Sequence, residues 1–281
     1  MNNSIFSFLA QHLRRPPRLL MALVAALFLG LCAYYGWRAW GSSLQQDDTW
    51  TRIQHDALLR VGTDASYPPF ELVDEQGEYA GYDIDLAYYL ADRWSVEVQF
   101  VNISFDGLYD ALLAGKCDLI ISALPYDRTK TRDVGYSQTY FDAGQVLVAS
   151  SEDTSIQGVE DLNGKRVAVE LGAEGHQLAR QLARDKGLNI EVEPLQETLE
   201  VFEALRAGEA DALIVDKVTA LQYQGSGYPI RLVGEPLTSD PYVIAVPEEA
   251  PLTLEAVDEA LTEWRTDGVL DDLTQHWFGG Q

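Results

Sequence analysis

Positive charge, cysteine and histidine are all scarce in this sequence, and each shortage removes a class of function. The 281 residues carry 20 Lys and Arg against 44 Asp and Glu, a formal net charge of −24. A chain this acidic repels phosphate backbones, which argues against nucleic acid as a partner. Of the two cysteines, Cys32 lies inside an apolar run and Cys117 stands alone in the body, so the soluble part has no intramolecular disulfide. His12, His55, His176 and His276 are isolated, with no ligand spacing of the HxxxH kind; neither a metal site nor a cofactor is expected.

What is present is a chain 47% hydrophobic, enough for one large domain or two modest ones with real cores. The charge is unevenly placed. Residues 1–50 hold four arginines against two aspartates, whereas the remaining 231 residues hold 16 bases against 42 acids. Leu19 to Trp37 is a run of 19 residues without a charge, preceded by Arg14, Arg15 and Arg18. As a helix it spans about 28 Å, close to the hydrocarbon thickness of a bilayer. The basic flank predicts a cytoplasmic stub at 1–18, a membrane span at 19–37 and a translocated body. Tyr34-Tyr35-Gly36-Trp37 resembles an interfacial belt more than a cleavage site, which favours an uncleaved anchor over a cleaved signal. Leu31 before Cys32 and Pro16-Pro17 after Arg14-Arg15 fit neither a lipoprotein nor a twin-arginine signal. Residues 38–56 read as a tether.

From Leu58 the pattern becomes α/β. Leu59–Gly62 and Val96–Ile103 alternate as strands, and Asp83 to Trp94 has helical spacing behind a possible Asp83 cap. Further strands are expected at 145–149, 166–170, 190–192 and 242–246, with helices at 174–186, 198–207 and 254–265. Residues 111–121 (ALLAGKCDLII) and 204–214 (ALRAGEADALI) share one unit 93 positions apart: a helix closing on a glycine, an aspartate, then a short apolar strand. Two such units predict two similar lobes with mainly parallel sheets. Ligands bind beyond the carboxyl ends of strands in such sheets, which directs attention to Ser122–Lys130 and to Asp216.

Read in order, the segments from Val61 to Glu71 (VGTDASYPPFE), Gly81 to Leu86, Ser104 to Leu108, Ala143 to Val146, Lys165 to Gly172 and Trp277-Phe-Gly279 resemble the extracellular solute-binding proteins of amino-acid ABC transporters, bacterial solute-binding protein family 3. The resemblance runs over about residues 57–279. It implies a type II periplasmic-binding-protein-like fold: lobe 1 from 57–146 and 242–281, lobe 2 from 149–238, and two crossing strands near Gln145–Ser150 and Ser239–Ile244. The C-terminal helices should return to lobe 1, and the lobes should close on a small ligand.

The ligand-binding positions that follow from the resemblance are Asp64, Tyr67, Phe105, Ser122, Ala123, Pro125, Arg128, Lys130, Glu174 and Asp216. Tyr67 and Phe105 would wall the ligand, and Asp216 would hold an α-ammonium. Asp64 is either a contact for a basic ligand or an Asx turn, and Asp216 is either that contact or the N-cap of the next helix. The carboxylate side departs from the family. Lys130 stands at the usual arginine, Ala123 and Pro125 at usual serines, and Ala173-Glu174 at a usual Thr pair. Lysine lacks the bidentate fork, which Arg128 could supply if the turn is shifted. Either an amino acid is held in altered geometry or the ligand is not a standard zwitterion, and Glu174 would favour an additional cationic group. The implied function is extracytoplasmic capture of a small polar ligand, an amino acid or related amine or acid, by a monomer anchored through its N-terminal helix that delivers it to an ABC permease. Two other readings are a cyclohexadienyl-dehydratase-like enzyme, which lacks its catalytic glutamate because Thr219 stands there, and a ligand-sensing subunit, which would need a signalling partner in the membrane.

Overall fold

The computed structural model describes residues 47–279. The expected stub, the span at 19–37 and residues 38–46 of the tether lie outside them; among the described residues no helix is long and apolar enough to cross a membrane. The last stretch of the expected tether is a helix, α1 (Asp48–Asp56). Asp47 caps it by accepting the Trp50 N–H at 2.7 Å, and its other oxygen takes the Thr253 N–H at 2.8 Å. Ile53 is fully buried, and Trp50 meets Trp94 edge-on with ring centroids 5.1 Å apart. A cap and an i, i+3 apolar pair give a short segment a face to dock, which a reading of 38–56 as tether overlooked.

Lobe 1 contains β1 (Leu58–Thr63), the small three-stranded sheet β2 (Ser66–Tyr67), β3 (Glu71–Val73) and β4 (Tyr79–Ala80), then α2 (Tyr82–Trp94), β5 (Glu97–Asn102), α3 (Leu108–Leu113), β6 (Leu119–Ile120) and β7 (Val134–Asp142). Lobe 2 follows with β8 (Gln145–Ser150), β9 (Arg166–Glu170), α4 (Glu174–Asp185), β10 (Glu191–Leu195), α5 (Thr198–Ala207), β11 (Ala212–Asp216), α6 (Lys217–Gly225) and β12 (Ile230–Val233). The chain then re-enters lobe 1 as β13 (Pro241–Pro247), α7 (Pro251–Asp267) and α8 (Val269–Phe278).

The sheets have the orders β5-β1-β6-β13-β7 and β10-β9-β11-β8-β12. They are mixed, which corrects the expectation of mainly parallel sheets. β1 pairs in parallel with β5 and β6, and β9 with β10 and β11, but β13 and β8 are antiparallel to both their neighbours. β8 and β13 are the strands that arrive from the other lobe. They enter with no crossover helix to reverse their direction, so each is inserted head to tail.

The two copies of the repeated unit are superimposable in their contacts. Gly115 and Gly208 close the helices at φ 67° and 73°, the left-handed region where glycine carries no penalty. The aspartate after each glycine then grips the first strand of its own lobe. Asp118 accepts the Arg60 N–H at 2.9 Å and donates its own N–H to the Arg60 carbonyl, while Asp211 does the same with Arg166 at 2.8 Å. In lobe 1 this aspartate is fully buried and also pairs with the Arg60 and Arg52 guanidiniums, the latter from α1.

The crossings are residues 143–144 and 234–240, and Gln145–Ser150 lies within lobe 2: Gln145 and Val146 pair with Asp216 and Val215. Lobe 1 therefore ends before Gln145 and does not extend to 146. One side chain ties the crossings together. Asp142 accepts the Gly144 and Asp240 N–H groups at 3.0 and 2.8 Å and the Ser239 hydroxyl at 2.7 Å. Gly144 passes so close to Thr238 that a Cβ there would overlap its carbonyl group.

The lobe 1 core centres on Phe70, which packs against Tyr82, Phe141, Tyr242 and Phe278 with ring centroids 5.0 to 5.7 Å apart. The C-terminal helices return to this lobe as expected: Leu261, Leu273 and Phe278 belong to its core. Two clusters cover the two faces of the lobe 2 sheet. Val218 of α6 reaches across into the core of lobe 1.

Candidate functional site

Where the lobes face each other, two cavities share a wall formed by Tyr67 and Tyr242. The first, about 340 Å³, is cut into lobe 1 beyond the carboxyl ends of β1 and β6. Asp64, Tyr67, Phe105, Ser122, Ala123 and Pro125 all line it, so six of the ten expected positions converge there. Tyr67 and Phe105 are 44% and 43% exposed, which identifies them as open cavity walls and not core aromatics. Tyr67 lies flat against Phe70, with an interplanar angle of 6° and centroids 5.7 Å apart.

The polar groups of this wall are already paired with one another. Asp64 accepts the Ser66 hydroxyl at 2.8 Å and the Phe105 N–H at 2.7 Å, while the Ser66 N–H goes to the Asp64 main-chain carbonyl, so its side chain ties two loops together and closes no Asx turn. The Ser122 hydroxyl accepts the Asp64 N–H and donates to Glu71 Oε1 at 2.8 Å. Behind it Asp83, fully buried, accepts the Ala123 N–H at 2.5 Å and the Tyr140 hydroxyl at 2.9 Å. Asp83 is thus no helix cap; α2 is preceded by Gly81, and Asp83 instead pins the turn at Ala123, whose φ of 39° is left-handed. Burial pushes the Glu71 carboxyl far above the ordinary range, and the negative charge of Asp83 adds to the rise. Burial also raises Asp83, opposed by its N–H and hydroxyl donors. Two carboxyls in one dry site hold a proton between them.

The second cavity, about 420 Å³, lies against lobe 2 and the crossings. Asp216 and Glu174 line it with Asp240, Gln145, Thr219 and Gln222. Asp216 is the N-cap of α6: its oxygens accept the Thr219 N–H at 2.8 Å and the Thr219 hydroxyl at 2.7 Å. The same carboxylate lines the cavity, so the capping role is seen and does not close the group off from the cavity. Burial holds the Tyr67 phenol above its usual value, opposed by a hydrogen bond with Tyr242 and reinforced by the charge of Asp216. The Asp240 carboxyl is likewise raised by burial and by Asp142.

Arg128 and Lys130 line neither cavity. The Lys130 ammonium lies 5.3 Å from the centroid of the Tyr109 ring. Sequence reasoning passed over Glu71, Gln145, Asp240 and Tyr242. Glu71 was within reach as the last residue of the VGTDASYPPFE segment; the other three flank the crossings, where only topology brings them to the site. A larger groove of about 750 Å³ runs along the outer face of α7, lined by surface acids such as Glu255, Asp258 and Glu259 and away from the crossings. Among the described residues no cluster of His, Cys, Asp and Glu could hold a metal ion.

Comparison with known proteins gives the chain its kinship. A Vibrio harveyi protein named as an amino-acid ABC transporter-binding protein, PatH, is 33% identical over 231 residues, covering 81% of this chain and 91% of that one. The structure of an ancestral cationic amino acid solute-binding protein is 33% identical with a TM-score of 0.61, covering 82% of this chain and 100% of the other. That of an ancestral cyclohexadienyl dehydratase is 27% identical with a TM-score of 0.74, covering 83% and 97%. The sequence model of the bacterial extracellular solute-binding proteins, family 3, matches residues 59–280. The chain belongs to the bacterial extracellular solute-binding proteins of family 3.

Proposed function

We propose that this protein captures a small solute bearing an amino group between its lobes, outside the cytoplasm, and presents it to the permease of an ABC transporter. It acts as a monomer held at the membrane by the span at 19–37. The observation that carries the reading is the pair of adjoining cavities at the crossings, with open aromatic walls from lobe 1 and a capping carboxylate, Asp216, from lobe 2. Asp64, Tyr67, Phe105, Ser122, Ala123 and Pro125 form one half of the solute's surroundings and Glu174 and Asp216 the other. Arg128 and Lys130 belong outside that set. An ammonium brings donors to carboxylates that have lone pairs left, and an aromatic wall covers its apolar part.

An ancestral dehydratase among the structural relatives makes an enzyme the reading to test against. What supports binding alone is Thr219, whose hydroxyl is committed to Asp216 and offers no acid or base. The test is thermal unfolding of the full-length chain, in a mild non-ionic detergent, against amino acids, amines and cyclohexadienyl acids. A bound solute at 100 times its dissociation constant adds about 2.7 kcal/mol of stability. No shift with any amino acid or amine overturns the proposal, as does formation of an aromatic product from prephenate.

A further inference from the structure

The donors and acceptors of the adjoining cavities are unequal in a way that specifies the solute further. Most hydroxyl protons on their walls are spent inside the protein: Ser66 donates to Asp64, Ser122 to Glu71 and Thr219 to Asp216, and Tyr67 and Tyr242, bonded to each other, leave one between them. No lysine or arginine lines either part among the described residues. The neighbouring cation, Lys217, has its ammonium 4.9 Å from the centre of the Phe141 ring, and Lys130 lies over Tyr109. The first-turn N–H groups of α4 are one remaining source of donors, but Glu174, in that turn, brings a carboxylate of its own.

Acceptors, by contrast, are left over. Glu174 and Asp240 have no side-chain partner among the described residues, and Asp216 uses one lone pair on each oxygen. The independent sign of a missing ligand is Gln145. Its side chain is 93% buried against the cavity, given a residue exposure of 7%, and its Oε1 has no hydrogen-bond partner. A buried carbonyl oxygen without a donor costs about 1–3 kcal/mol, a cost that an N–H group reaching it from the cavity would remove.

We infer that the solute is a small organic cation carrying ammonium or guanidinium groups and no carboxylate, of the kind formed when a basic amino acid loses carbon dioxide. One nitrogen is received by Asp216 and Gln145, and a second, where present, by Glu174 or Asp240. A carboxylate on the same carbon would enter a site of like charge with no lining cation to meet it among the described residues. This rests on the solute-binding reading above, and it names the chemical class that the reading leaves open.

The experiment is isothermal titration calorimetry of the full-length chain in non-ionic detergent at pH 7.5, with three matched pairs: agmatine and arginine, cadaverine and lysine, putrescine and ornithine. In at least one pair the amine binds tenfold or more tighter than its amino acid, and Gln145→Leu weakens that amine by tenfold or more while a Lys130→Ala variant keeps its affinity within twofold. If the amino acid of every binding pair matches or exceeds its amine, the inference is wrong and the solute-binding reading stands. If no member of any pair binds and other amino acids do, the inference again fails alone. If no amino acid and no amine binds at all, both fall.

Discussion

Asp216 is a helix cap that also lines a cavity. One lone pair on each oxygen caps α6 through Thr219, and the others remain for the cavity. Asp216→Asn retains an acceptor for the Thr219 N–H, so its stability should fall by only about 1 kcal/mol, while amine affinity measured by calorimetry drops more than tenfold. An affinity within threefold of the parent would make the cap its sole task. The Glu71–Asp83 pair invites a different measurement. In the folded protein Glu71 keeps a proton that the unfolded chain releases near its ordinary value of 4.5. The folded state then binds more protons than the unfolded one. The pair's contribution to stability is greatest in acid and is lost as pH rises from there through the raised folded value. Glu71→Gln removes that loss. Between pH 5 and 8 the variant should gain on the parent by up to about 1.4 kcal/mol per pH unit in urea unfolding, the limit for one proton. A difference constant with pH rules out the shared proton. The residues expected from the resemblance that line the cavities, among them Asp64, Tyr67, Phe105 and Asp216, lie in short segments next to strand ends, where the signal is local. Lys130 misled because register along the turn after β6 fixes its position in sequence but not the side of the turn on which it emerges.

At the scale of elements, the duplicated helix–glycine–aspartate–strand unit was legible because each of its parts is a local signal, and helices α4 and α5 fell within a residue or so of their expected bounds. The partners of its two aspartates were not legible, since Arg60 and Arg166 lie 58 and 45 positions upstream. The direction of β8 and β13 escaped for a related reason: apolar strands read alike in either direction, and only the crossing decides. The two aspartates should differ in weight. Asp118→Ala removes a fully buried carboxylate from two partly exposed arginines and from the Arg60 N–H, and should cost about 2–3 kcal/mol in chemical denaturation. Asp211 has one looser partner at 3.6 Å and a side chain 30% exposed, so Asp211→Ala should cost nearer about 1 kcal/mol. Equal losses would mean that burial does not set the difference. At the crossing, Gly144→Ala drives a methyl into the Thr238 carbonyl and should destabilise by about 1–3 kcal/mol, with solute affinity changed as well because the two crossing segments can no longer lie side by side. A variant with parental stability and affinity would show that the crossing has slack.

For the molecule as a whole, two lobes, their order along the chain and the return of the C-terminal helices followed from the ordered motifs, whereas the docking of α1 did not. The net charge of −24 now has a local counterpart in a cavity rich in acceptors and without a lining cation among the described residues. The inserted strands have a consequence for how the protein is made. Lobe 2 is continuous from Gln145 to Val233, and its entry and exit are joined by the Leu237 N–H to the Gln145 carbonyl at 2.7 Å. Lobe 1 is split, and β13 fills the place between β6 and β7 in its sheet. During vectorial synthesis lobe 2 can therefore reach its native pairing first, while lobe 1 waits with a gap in its sheet for residues near the end of the chain. A chain terminated after residue 240 should protect the lobe 2 strands from limited proteolysis and leave β7 open to cleavage; protection of both, or of neither, would contradict this order. The last-made strand is thus the one that seals the molecule, and until it arrives the nascent protein has one finished lobe, one unfinished lobe and no solute site.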